Sequence, residues 1–268
     1  MLYLVSTPIG NLADISYRAI EVLNSVDVIL CEDTRHSLKL LDHYGIKKQL
    51  ISYHKFNEVK ETEPVINLLK EGKNVALITD AGTPVVSDPG NVLTKALSEN
   101  GIEFTVVPGA TACISALLLS GLDASNFTFI GFLPEKKKDK QALLKTYKNV
   151  QSTLIFYSAP HDVNKDLKEL YEGLGDRRAV AVKEITKLHE RVYRFNLSNA
   201  EIVDPRGEFV IVVEGAKKQE NAFDNLTELE HINLYLSRGL SKKEAIKIVA
   251  NERGVSKNSL YKYTINED

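Results

Sequence analysis

Four short segments gather the residue types that can do chemistry. Glu32, Asp33, Thr34 and Arg35 set two carboxylates, a hydroxyl and a guanidinium side by side. Residues 183–190, KEITKLHE, bring together Lys183, Glu184, Lys187, His189 and Glu190. Residues 54–58, HKFNE, add an imidazole and another carboxylate. Each segment can move a proton or grip a phosphate. Each taken singly is equally well a solvated turn with surface ion pairs. The fourth segment, residues 80–90, reads DAGTPVVSDPG. It spends two Asp, two Pro and two Gly where a short strand–helix connection would serve. Glycine lets backbone approach a ligand and proline fixes a loop's path, so this segment is read as a ligand-binding loop.

Such loops need a scaffold, and the hydrophobic pattern supplies one. Strands are expected at residues 2–6, 26–31, 49–52, 75–79 and 104–107. Helices are expected between them at 15–24 (with Asp14 as N-cap), 37–44, 58–71, 91–100 and 111–120. Pro64 is tolerable only near the first turn of its helix. This alternation predicts an α/β protein whose N-terminal sheet is mainly parallel and covered on both faces. In such sheets ligands bind beyond the carboxyl ends of the strands. Those ends carry STPIGN (residues 6–11), EDTR, DAGTPVVSDPG and PGATA (residues 108–112).

The pattern changes near residues 121–125. Strands follow at 127–131, 153–157, 178–183, 191–195 and 208–213, with a hairpin around 183–191, so a second, mixed sheet is expected. The three expected regions are 1–121, 122–216 and 217–268. The last opens with a polar linker, AKKQENAFDN, and continues in helices at 226–236, 242–252 and 257–263. Ser241 and Glu244 form a capping box, Gly254 suits a turn and Ser256 caps the next helix, a helix-turn-helix pattern.

Composition narrows the function classes. A net charge of −2 leaves no global attraction for nucleic acid, so any basic surface is local. Two places qualify: EKKKDK (residues 135–140) and the span 236–263, which has seven Lys/Arg against two Glu. The former is equally a solvated helix start, and the latter could instead pack on the body. The two cysteines, Cys31 and Cys113, sit in apolar runs, which speaks for buried hydrophobes rather than a disulfide or a metal site. No secretory leader and no membrane-length apolar run are visible, so a cytoplasmic protein is expected. A P-loop, a G-x-G-x-x-G turn and a G-x-S-x-G elbow are all absent.

Taken in order, TPIGNLADISYRA (7–19), EDTR, HKFNE, ITDAGTPVVSDPG (78–90), VPGATA (107–112), SGLDASNFTFIGFLP (120–134), FYSAPH (156–161), EITKLHE (184–190) and GEFV (207–210) resemble the tetrapyrrole methylase superfamily. Within it they resemble the branch that methylates a cytidine ribose 2′-hydroxyl in 16S rRNA. The chain departs from that pattern at Ser158, Asp162 and Lys183. The resemblance implies S-adenosylmethionine held between two α/β lobes by Pro8, Asp80, Ala81, Gly82, Thr83, Val85, Thr111, Ala112, Phe156, Tyr157 and Phe209. It also implies a homodimer acting on 16S rRNA or the small subunit. A ribose hydroxyl must lose its proton to attack, so Glu32, Asp33 and Glu184 are base candidates. Arg35 and Lys187 are candidates for holding phosphate or the developing oxyanion. Lys136, Lys137 and Lys138, with Lys242, Lys243 and Lys257 in the tail, are the expected RNA contacts. Two other readings stand beside this one: the same fold acting on a tetrapyrrole or other small molecule, and a ligand-sensing nucleic-acid-binding regulator.

Overall fold

The computed structural model describes residues 1–217, 223 and 226–263. The chain divides into two compact units, Met1–Ala216 and Lys217–Asp268.

The first unit holds two five-stranded sheets. Sheet A contains β1 (Leu2–Val5), β2 (Val28–Cys31), β3 (Gln49–Ser52), β4 (Val75–Leu77) and β5 (Phe104–Val107) in the order β3-β2-β4-β1-β5, all parallel. Alternating side chains cover both faces. Leu2, Val28, Leu30, Val75 and Leu77 meet α3 (Glu58–Lys70) and α4 (Asn91–Glu99). Val5, Ile29, Cys31 and Ala76 meet α1 (Tyr17–Ser25) and α2 (Thr34–His43). Cys31 and Cys113 are both buried and free.

Helix starts differ from the sequence reading in instructive ways. The cap of α1 is Ser16, whose side chain accepts from the Ala19 amide, while Asp14 closes a preceding 3-10 turn. Helix α2 begins three residues earlier than expected, because Asp33 serves as its N-cap. Pro64 lies in the second turn of α3, deeper than expected. It is exposed there, so water can reach the carbonyl that its missing N–H leaves free.

Helix α5 (Ala112–Ser120) leads to sheet B, whose order is β6 (Phe127–Phe132), β7 (Thr153–Ser158), β10 (Phe209–Val213), β8 (Arg178–Lys183), β9 (Arg191–Asn196). Strands β6 and β7 are parallel and the other pairs antiparallel, with β8–β9 the expected hairpin. Two helices that the strand-centred reading passed over, α6 (Lys137–Tyr147) and α7 (Val163–Leu174), cover one face through Leu144, Val163, Leu167 and Leu170. Helix α5 covers the other through Cys113, Ala116 and Leu117, where Ile9 from the first loop joins them.

In the second unit, α8 (Glu228–Ser237), α9 (Lys242–Arg253) and α10 (Lys257–Tyr261) enclose Ile232, Ile246, Val249 and Leu260. The Ser241–Glu244 capping box forms as expected, and a second one forms between Thr227 and Glu230. Gly254 adopts the left-handed conformation, φ 64°. His231 is fully buried; its Nδ1 accepts from Arg253 Nε at 3.0 Å, and burial with the Arg253 charge pushes its pKa down. Much of the polar linker reading falls on residues outside the described ones.

Candidate functional site

Three of the loops singled out in the sequence are laced together at the carboxyl edge of sheet A. Thr7 and Gly82 exchange backbone hydrogen bonds at 2.8 and 3.2 Å. The Ser6 and Thr83 hydroxyls lie 2.9 Å apart, and Thr83 Oγ1 also donates to the Ala110 carbonyl at 3.2 Å. A Cβ on Gly109 would stand 2.8 Å from Ser6 Cβ, so only glycine allows these loops to meet so closely. In the long loop, Val85 and Ser87 hold positive φ of 77° and 70°, a strained conformation that clusters at ligand sites.

Between these loops and the end of sheet B lies a cavity of about 360 Å³, within the roughly 300–1,000 Å³ range of small-molecule sites. Asp80, Ala81, Gly82, Thr83, Thr111, Ala112, Tyr157 and Phe209 line it, so eight of the sequence-selected residues come together there. Three others do not reach the wall. Pro8 is buried in the first loop, and its neighbour Ile9 takes the wall position. The Val85 side chain packs toward Gly90, leaving Val86 and Ser87 to face the cavity. Strand alternation turns Phe156 into the core beneath α6 and α7, whereas Tyr157 faces the cavity. Tyr157 meets Phe129 and Phe132 edge-on, with centroids 5.0 and 5.5 Å away.

The other wall residues were not selected from the sequence, Asp88, Phe132 and Glu208 among them. Asp88 lay within the recognised loop and was legible; Phe132 and Glu208 depend on how the second sheet meets the first. The lining contains the carboxylates of Asp80, Asp88 and Glu208 and neither Lys nor Arg. Burial pushes the Asp88 carboxyl up to about 6, opposed by the nearby Thr79 hydroxyl and reinforced by the charges of Glu32 and Asp80. Burial and the Asp80 charge also raise Glu32, against the nearby His54. Asp33 is held low by hydrogen bonds from Arg35, whose guanidinium approaches to 3.1 Å.

On the sheet B side, Lys187 Nζ sits 3.0 Å from Glu184 and 2.9 Å from Glu208. Glu184 Oε1 also accepts the Glu208 amide at 2.8 Å. Despite its partial burial, these partners hold the Glu184 carboxyl below its ordinary range. The turn is strained, with Glu184 at φ 51° and Thr186 at 65°. It is clasped to the first loop: the Asn11 amide donates to Thr186 Oγ1 at 3.1 Å, and a Cβ on Gly10 would lie 2.5 Å from Lys187 Cγ. This cluster reaches the cavity through Glu208, which lines the wall with Ile185. Ser158, at the end of β7, donates to the buried Asp166 at 2.6 Å, and Asp166 lies 3.8 Å from the buried ammonium of Lys140. Lys136, Lys137 and Lys138 are exposed at the start of α6, and Lys242, Lys243 and Lys257 are exposed in the second unit.

The family model described as Tetrapyrrole (Corrin/Porphyrin) Methylases matches residues 1–201. The chain belongs to the tetrapyrrole methylase family. Tetrapyrrole methylases of known structure share its fold: a uroporphyrin-III-C-methyltransferase from Thermus thermophilus superposes with a TM-score of 0.56 at 23% identity, covering 79% of this chain and 93% of that one. A diphthine synthase reaches 0.65 at 15% identity, covering 80% and 89%. Among sequence relatives in the family, the Bacillus subtilis protein named ribosomal RNA small subunit methyltransferase I is 43% identical across 97% of this chain and 92% of its own length. The Escherichia coli O157:H7 protein of that name is 40% identical across 99% and 95%.

Proposed function

We propose that this chain transfers a methyl group from S-adenosylmethionine to small-subunit ribosomal RNA, with the 2′-hydroxyl of a cytidine in 16S rRNA as acceptor. The observation that carries this reading is the near full-length similarity to small-subunit rRNA methyltransferases, because the fold alone also serves tetrapyrrole substrates. The cavity fits the cofactor: three carboxylates without a Lys or Arg suit a ligand carrying sulfonium and ammonium charge. Ile9, Phe132 and Tyr157 give apolar walls, and the glycine-bearing loop at Gly82 exposes backbone donors and acceptors.

When bound, the cofactor supplies an electrophilic methyl group on sulfur. The protein's own work is positioning and proton removal. Asp80, Gly82, Thr83, Thr111 and Tyr157 hold the cofactor. Of the three base candidates, Asp33 and Glu184 are tied to cations and pushed low, which weakens them as bases. Glu32 is pushed up, so it is assigned to accept the hydroxyl proton. Arg35, paired with Asp33 but with its side chain 88% exposed, is positioned to meet phosphate. Lys187 holds the wall residue Glu208 and its neighbour Glu184 in place. Lys136–Lys138 and the tail lysines Lys242, Lys243 and Lys257 supply RNA contacts. No helix among the described residues is long and apolar enough to cross a membrane. We place the protein in the cytoplasm as a homodimer, which sedimentation would check.

The test is labelled methyl transfer from S-adenosylmethionine to small subunits from cells lacking this enzyme, followed by nucleoside mass spectrometry. The expected product is 2′-O-methylcytidine. Transfer to porphyrin-type acceptors but not to rRNA would overturn the reading.

A further inference from the structure

The turn after β3 presents Phe56 with 95% of its surface exposed, on a backbone held by hydrogen bonds. The Phe56 amide donates to His54 Nδ1 at 3.2 Å, and the His54 amide donates to Asn57 Oδ1 at 2.7 Å. Asn57 Nδ2 donates to the Ser52 carbonyl at 2.9 Å. Glu58, which opens α3, accepts the Gly90 amide at 3.3 Å, bracing this turn against the loop that lines the cavity. These bonds fix the backbone from which the ring projects, with the His54 imidazole edge-on at 6.1 Å between centroids. Single exposed apolar residues are common, so it is the surroundings of this ring that give it meaning.

Those surroundings define a partner. Strands β2 and β3 are neighbours, and Tyr53 N donates to the Cys31 carbonyl at 2.8 Å, so the turn adjoins the Glu32–Arg35 loop. His54 is close enough to Glu32 to oppose part of the rise that burial and the Asp80 charge give its carboxyl. Lys55 and Arg35 are exposed on the two adjoining loops. An aromatic face flanked by cations is the combination that recognises unpaired nucleotides, the ring taking a base and the cations its phosphates.

We infer that Phe56 is the stacking platform for a base next to the acceptor nucleotide, with Arg35 and Lys55 meeting the adjoining phosphates. The inference rests on the rRNA reading above and names how that substrate is held. A single strand crossing the β3 and β2 loops passes Phe56, His54 and Glu32 in turn before the cavity.

The test uses F56A, F56L, F56Y and F56W in the full chain, with small subunits from cells lacking this enzyme as substrate. F56A should raise KM for subunits roughly 5- to 150-fold, the range of one lost base–aromatic stack. The dissociation constant for S-adenosylmethionine, measured by calorimetry, should stay unchanged. F56Y and F56W should restore KM, and F56L should not. The chain has no tryptophan, so F56W is a sole reporter whose fluorescence should be quenched by a cytidine-containing single-stranded RNA 12-mer. An F56A KM within twofold of the parent, or full function of F56L, overturns the inference. A changed sedimentation coefficient for F56A also overturns it, by making Phe56 a contact between copies. Absence of methyl transfer by the parent protein overturns the rRNA reading itself, and this inference with it.

Discussion

Asp88 gives the sharpest test of how the cavity takes a cationic ligand. Its carboxyl is pushed up to about 6 by burial, with Glu32 and Asp80 adding to the effect. At pH 7 about ten-elevenths of the molecules carry the ionised carboxylate, and at pH 5 about one-eleventh. If the ionised form is the one that accepts S-adenosylmethionine, the apparent dissociation constant rises roughly tenfold from pH 7 to pH 5. The ligand's α-carboxyl and α-amino groups, with ordinary pKa values of about 3.5 and about 8, change little in that window. Calorimetry at pH 5, 6 and 7 in two buffers of different ionisation enthalpy reads both affinity and proton release. Asp88→Asn should flatten the profile. The unliganded protein should respond in the opposite sense. A raised acid favours the folded state most below its ordinary value near 3.8, and that advantage is lost as pH rises through about 6. The loss is no more than about 3 kcal/mol and is reduced by the solvent that reaches this half-buried group. An affinity independent of pH in the parent protein, or an unchanged slope in Asp88→Asn, refutes the reasoning.

Further expectations concern the supports of the site. Gly207→Ala should cost about 2–4 kcal/mol in urea unfolding, because φ is +89° and its Cβ would stand 2.5 Å from Glu184 Cγ. Gly45→Ala, also at positive φ but with nothing within 4 Å, should cost only about 1–2 kcal/mol. Lys140→Ala should cost about 3–5 kcal/mol by stranding buried Asp166, and Lys140→Ala/Asp166→Ala should recover part of that loss. Ser241→Ala should remove about 1 kcal/mol from the second unit, read by thermal unfolding of the region 217–268 through hydrogen exchange.

The sequence by itself determined the alternation that builds sheet A, because buried parallel strands must be continuous apolar runs and their helices must show a 3.6-residue period. It also located the loops at the strand ends, since Gly and Pro at those places betray backbone conformations that few other residues allow. The capping box of α9 was legible because Ser241 and Glu244 act over three residues. What depended on distant partners was not legible. Whether Phe156 or Tyr157 faced the cavity turned on which side of sheet B carries α5, and adjacent residues of a strand point to opposite faces. Lys140 stood in a lysine-rich run like its neighbours, yet Asp166 and Glu169 draw it inward, so the basic stretch is not one uniform surface. Glu184 looked as good a base as Glu32 in the sequence. Only the packing of the turn at residues 184–187 against Glu208 ties it to Lys187, while the approach of Asp80 and burial leave Glu32 the stronger base. Local patterns encode local structure, but a carboxylate's proton affinity is set by charges and burial that the chain brings together from far along its length.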